Sequence, residues 1–68
     1  MNAGKNFREI RENQNLTRTQ LALKSNVSRS TIAKIELENS KPTSYTIYKL
    51  AKALNINELD LIEIFERN

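Results

Sequence analysis

The sequence predicts an all-α domain built as a five-helix bundle, and three observations carry that prediction. Apolar residues recur at helical spacing, most plainly Ile47, Leu50, Ala51 and Leu54 at i, i+3, i+4 and i+7. Breaks fall between such stretches: Asn15, Asn26 and Asn55 each end one and precede Leu16, Val27 and Ile56, and Pro42 marks a further break. Asparagine tolerates the left-handed conformation that ends many helices, and proline disfavours the helical region for the residue before it. No stretch alternates in the β-branched and aromatic pattern of a strand.

The first segment, about residues 4–14, carries Phe7 and Ile10 on one side. The second opens at Thr17, a residue type suited to an N-cap, and carries Leu21 and Ala22. The third opens at Ser28. The fourth opens near Thr43, just after Pro42. The fifth covers about residues 57–66.

Composition narrows the function. The chain has 68 residues, enough for one domain, and such a domain buries only about 60% of its unfolded surface. It has no cysteine and no histidine, so disulfides, thiolate or imidazole metal sites and histidine-based catalysis are excluded. Its one glycine, Gly4, cannot build a phosphate-cradling loop. Glu58, Asp60, Glu63 and Glu66 fall around one short helix and read as a solvated face. Neither an enzyme nor a cofactor, metal or small-molecule ligand is expected. No apolar run approaches the roughly 18 residues of a membrane span, and the first residues lack the apolar region of a signal peptide, so the cytoplasm is the expected location. The net charge of +3 is uneven. Residues 1–34 hold seven basic and two acidic side chains, and residues 35–68 hold four basic and six acidic. A basic half fits an anionic partner such as nucleic acid, and also ordinary surface scatter.

The stretch NVSRSTIAKIE, residues 26–36, is the most informative. With Arg29 at 0° and steps of about 100°, Thr31, Ile35, Ile32 and Glu36 fall at about 200–340°. Arg29, Ala33, Leu37, Ser30 and Lys34 fall at about 0–140°. One arc is a core face. The other combines small side chains, which allow close approach, with two cations that reach acceptors. That arc suits a helix entering the DNA major groove, about 12 Å wide; taken alone, it equally suits a solvated amphipathic helix. The preceding residues favour the groove. Ala22 is small where two helices would cross, Val27 can plug the corner, and Ser28 can cap the next helix. A short helix, a tight turn and a second helix make a helix-turn-helix.

The stretch LTRTQLALKSNVSRSTIAKIE, residues 16–36, resembles the helix-turn-helix of the phage-repressor and Cro-like regulators, the XRE family. The resemblance extends through KPTSYTIYKLAKALNI, residues 41–56, and covers about residues 5–65. It implies a five-helix domain that binds double-stranded operator DNA as a two-fold homodimer, most simply as a repressor. It also implies roles by position. Ser28, Arg29, Ser30, Ala33 and Lys34 match residues that face DNA bases. Thr17, Arg18, Asn39, Lys41, Thr43, Ser44 and Tyr45 match phosphate-contacting regions, and helix-start N–H groups suit a phosphate well. The chain departs from the family in carrying Asn at 15, 26 and 55 where glycine is common. Glu38 suits a left-handed residue poorly, which moves the expected stop of the third helix to Asn39. Leu37 stands where a polar residue is common. A second class of function fits the same shape: an antitoxin-like or other protein-binding module.

Two structural expectations complete the reading. Arg11 lies on the core-facing side of the first segment and Glu36 borders the core face of the third, so an internal ion pair is expected, as the resemblance also implies. In the fifth segment Leu59, Ile62, Phe65, Leu61 and Ile64 span an arc of about 220°, whereas one core face needs little more than about 100°. Leu59 and Ile62 are expected inward. Leu61, Ile64 and Phe65 are then left as a homodimer surface, with Leu61 and Ile64 central.

Overall fold

Residues 2–66 are described by a computed structural model. Five helices follow in order: α1 (Ala3–Asn13), α2 (Arg18–Ser25), α3 (Arg29–Glu38), α4 (Ser44–Leu54) and α5 (Glu58–Glu66), with no strand among the described residues. All five start on a side-chain cap, α5 on Asn57, whose Oδ1 accepts from the Leu59 N–H at 2.8 Å. The Asn2 side chain accepts from the Lys5 N–H, Thr17 from Gln20, Ser28 from Thr31 and Thr43 from Thr46. At α2 the Gln20 side chain also accepts from the Thr17 N–H at 2.8 Å, closing a reciprocal box. Each cap satisfies a donor that a helix start leaves without an internal partner.

Four asparagines end helical runs with positive φ: Asn15 at 60°, Asn26 at 61°, Asn39 at 53° and Asn55 at 57°. Asn39 stops α3, and Glu38 stays helical. The Asn39 Oδ1 also accepts from the Gly4 N–H at 3.1 Å, which ties the end of α3 to the start of α1. There the two backbones nearly touch. A Cβ on Gly4 would lie 2.6 Å from the carbonyl oxygens of both Ile35 and Glu36.

The core joins Phe7 of α1, Leu21 of α2, Val27 of the turn, Ile32 and Ile35 of α3, Ile47, Leu50 and Leu54 of α4, and Leu61 and Phe65 of α5. α3 packs on α1 and α2, α4 on α2 and α5, and α5 also on α1. The Phe7 and Phe65 rings lie 5.9 Å apart at 43°, a tilted contact between both ends of the described chain.

The face that α5 presents to the core differs from expectation. Leu61 and Phe65 are buried, and Leu59 is 72% exposed; Ile62 and Ile64 are partly buried at the flanks. The cause is the position of the neighbours. α5 packs on both α1 and α4, and the side it turns to them is that of Leu61 and Phe65, four residues apart and both buried, with Phe65 against Phe7. Leu61 and Phe65 therefore cannot supply the dimer surface assigned to them, and of the three residues so assigned only Ile64 keeps some exposure.

Candidate nucleic-acid interface

α3 is held from behind by one carboxylate. Glu36 is 7% exposed, and its oxygens accept three charge-assisted hydrogen bonds. Arg11 of α1 donates from Nε to Oε2 at 2.7 Å and from a terminal nitrogen to Oε1 at 2.9 Å. Arg18 of α2 donates from Nε to Oε1 at 3.0 Å. The other terminal nitrogen of Arg11 reaches the Leu16 carbonyl at 2.6 Å. Bonds of this kind are roughly twice as strong as neutral ones. The hydrogen bond to Glu36 outweighs desolvation and raises the Arg11 pKa above its usual value. Glu36 thus fixes the third helix to the first and second at once. No buried side-chain polar atom among the described residues lacks a partner.

The turn is fixed as firmly. Val27 is buried in the corner, and the buried Ser25 hydroxyl accepts from the Val27 N–H at 3.2 Å. Ser28 caps α3 by accepting from Thr31 N–H at 3.1 Å, and its hydroxyl lies 2.8 Å from the Thr31 hydroxyl and 3.3 Å from that of Ser30.

With Ile32, Ile35 and Glu36 inward, the opposite side of α3 carries Arg29, Ser30 and Lys34 in the open and Ala33 half-buried. Neither Arg29 nor Lys34 takes part in an ion pair among the described residues, so both cations keep their donors for a ligand. Leu37, on the same side, is 63% exposed.

The residues assigned to phosphates divide by what already holds them. Ser44 and Tyr45 open α4 in the exposed first turn after the Thr43 cap. The Thr17 oxygen is occupied by the Gln20 N–H. Arg18 is partly buried and donates from Nε to Glu36, a link that local sequence does not show; among the described residues no hydrogen bond from its terminal nitrogens is seen. Asn39 has its Oδ1 on Gly4. Lys41 Nζ lies 2.7 Å from the Glu66 carboxylate in an exposed pair, also unforeseen, since Glu66 reads in sequence only as part of an acidic face.

A family model described as helix-turn-helix matches residues 7–61. The chain belongs to the XRE-type helix-turn-helix family. This is a family of DNA-binding transcriptional regulators. The helix-turn-helix domain is 30% identical over 59 residues to an uncharacterized HTH-type transcriptional regulator, y4dJ, of Sinorhizobium fredii; the match spans 87% of the chain and 77% of the relative. It is 41% identical over 56 residues to the immunity repressor protein of Bacillus phage phi105, spanning 82% of the chain and 39% of the phage protein. The chain therefore covers less than half the length of that phage relative. No solved structure gives a significant match. Among the described residues no helix is long and apolar enough to cross a membrane.

Proposed function

We propose that this helix-turn-helix domain is a sequence-specific regulator of transcription that acts as a repressor, with α3 inserted in the major groove. The observation that carries the reading is the open arc of Arg29, Ser30 and Lys34 on a helix whose other side is locked to both α1 and α2 through Glu36. A recognition element must be rigid to read sequence, and a buried three-bond carboxylate makes this one rigid. The relative named an immunity repressor supports the direction of control.

In this reading Arg29, Ser30 and Lys34 face base edges, and Ser28 and Ala33 allow close approach. Arginine or lysine on guanine is the commonest specific contact, so a guanine in each half-site is expected. Arg18, Lys41 and the backbone N–H groups of Ser44 and Tyr45 grip phosphates, which set register without reading sequence. Lys41 exchanges Glu66 for a phosphate at little cost, because an exposed ion pair contributes only about 0–1 kcal/mol. Two copies sit on a near-palindromic operator with half-sites one turn apart, about 34 Å, and they meet through α5 around the exposed Leu59 and the flanking Ile64.

Selection of bound sites from a random DNA pool, followed by retardation with competitor DNA, tests the proposal. One enriched near-palindromic motif and a discrete shift that survives competitor are expected. If no motif is enriched, sequence-specific regulation is abandoned in favour of the protein-binding, antitoxin-like module.

A further inference from the structure

Two exposed surfaces of this domain have opposite chemistry; the first shares only Tyr45 with the DNA reading and the second shares nothing with it. The first is the outer side of α4. It carries Tyr45, Tyr48, Lys49 and Lys52, with Lys49 Nζ 4.9 Å from the centre of the Tyr45 ring and Lys52 Nζ 6.0 Å from that of Tyr48. The end of α2 brings Lys24 beside it. Between α2 and α4 lies a groove of about 480 Å³, with the buried Ser25 and Ala53 at its floor and Lys24, Tyr48, Lys49 and Lys52 around it. No carboxylate lines this groove. Its cationic end is not the phosphate grip: Lys52 lies eight residues beyond Ser44, about 12 Å along the helix from the N–H groups that would meet a phosphate.

The second surface is the outer side of α5. Because Leu61 and Phe65 point inward, Leu59 lies on the opposite face, 72% exposed, with Asp60 and Glu63 beside it. The described residues of α5 hold four carboxylates and no base. A single open leucine among acids matches a groove that offers an aromatic wall and lysines. Within one copy Leu61 and Phe65 anchor α5 in the core with Leu59 turned outward, and no residue of α5 lines the groove.

We infer that the groove between α2 and α4 receives the outer face of α5 from a second copy. Leu59 packs against Tyr48 and Ala53, and Asp60 and Glu63 meet Lys24 and Lys52. Each copy carries both surfaces, so a two-fold axis forms the contact twice, as isologous pairing requires. Forming the contact twice doubles the area buried, toward the roughly 1,000 Å² that specific interfaces bury. A second copy accounts for both surfaces together, whereas an unrelated acidic protein accounts for the groove alone. The inference rests on the homodimer reading above and names the surface on which α5 lands.

Sedimentation equilibrium tests it on the whole chain, with circular dichroism to verify folding. Two variants reverse charge on one side each: Lys24→Glu/Lys52→Glu and Asp60→Lys/Glu63→Lys. Wild type is expected to dimerise, less tightly as salt is raised. Each variant alone should dimerise at least about tenfold more weakly, because like charges then face each other. An equimolar mixture of the two should regain dimers near wild-type strength, because both contacts again join opposite signs. If both variants dimerise as well as wild type, α5 lands elsewhere and the inference falls while the homodimer survives. If the groove variant alone fails and the mixture gives no recovery, the groove is not the seat of α5. If the groove variant dimerises normally and loses only DNA affinity, the lysines face DNA and the inference is overturned. A wild type that stays monomeric at about 100 μM and binds operator as one copy ends the homodimer reading itself.

Discussion

Gly4 donates its N–H to the side chain of Asn39 at 3.1 Å, across 35 residues, and this bond marks where the backbones of α1 and α3 come too close for a Cβ on Gly4. The atoms that a Cβ would meet at 2.6 Å are backbone carbonyl oxygens, which cannot swing aside. Alanine in a helix ordinarily stabilises by about 1 kcal/mol over glycine. Here the sign reverses: Gly4→Ala should destabilise by roughly 1–3 kcal/mol as the two helices are forced apart. Urea unfolding checks it, and a raised midpoint would show that the helices separate freely.

The Glu36 cluster gives a second prediction. Arg11→Ala leaves a buried carboxylate with one arginine, and should cost about 3–5 kcal/mol. The Arg11 pKa is raised in the folded state, so its contribution is fully present below the unfolded value and is lost only as pH climbs through the folded one, in strong alkali. The cost of Arg11→Ala should therefore be equal at pH 6 and pH 9. Chemical denaturation of both proteins at the two values is the measurement, and a cost that shrank at pH 9 would refute the assignment.

For DNA, Arg29→Ala should relax preference at one or two base pairs by about 1–3 kcal/mol. Lys41→Ala should weaken all sequences alike and reduce the salt slope by about one. Glu66→Gln should do the reverse of Lys41→Ala in affinity, because it removes the carboxylate that competes for Lys41. Titrations over a salt series on specific and scrambled sites separate the three. Equal loss on every sequence would move Arg29 to the backbone.

The burial pattern of α5 predicts unequal effects from two leucines two residues apart. Leu61→Ala opens a cavity in the core and should cost about 2–5 kcal/mol. Leu59→Ala, on the exposed side, should stay within about 0.5 kcal/mol for the isolated copy. Thermal unfolding at a concentration too low for dimers reads the difference, and equal losses would contradict the described packing.

These contrasts show what could be read from residues in order and what could not. The helices were legible because each of three asparagines followed by an apolar residue, and each hydroxyl before a helical run, acts locally. The face of α3 was legible because Ile32 and Ile35 leave only one way to turn it. The orientation of α5 is not legible in the same way, because five apolar residues cover more than half of its circumference. Periodicity then permits several orientations, and Phe7, 58 residues away, selects among them. Arg18 on Glu36 and Lys41 on Glu66 were hidden for a related reason: many opposite charges in this chain could pair, and only the packed backbone decides which do.

The contact between Phe7 and Phe65 also places a clock on the molecule. At roughly 5–20 residues per second, a ribosome needs about 3–12 s to travel from one ring to the other. Throughout that interval α1 has been made and its aromatic partner has not. The last ring to be translated closes the core against the first. A nascent chain therefore cannot close its core until translation has passed Phe65.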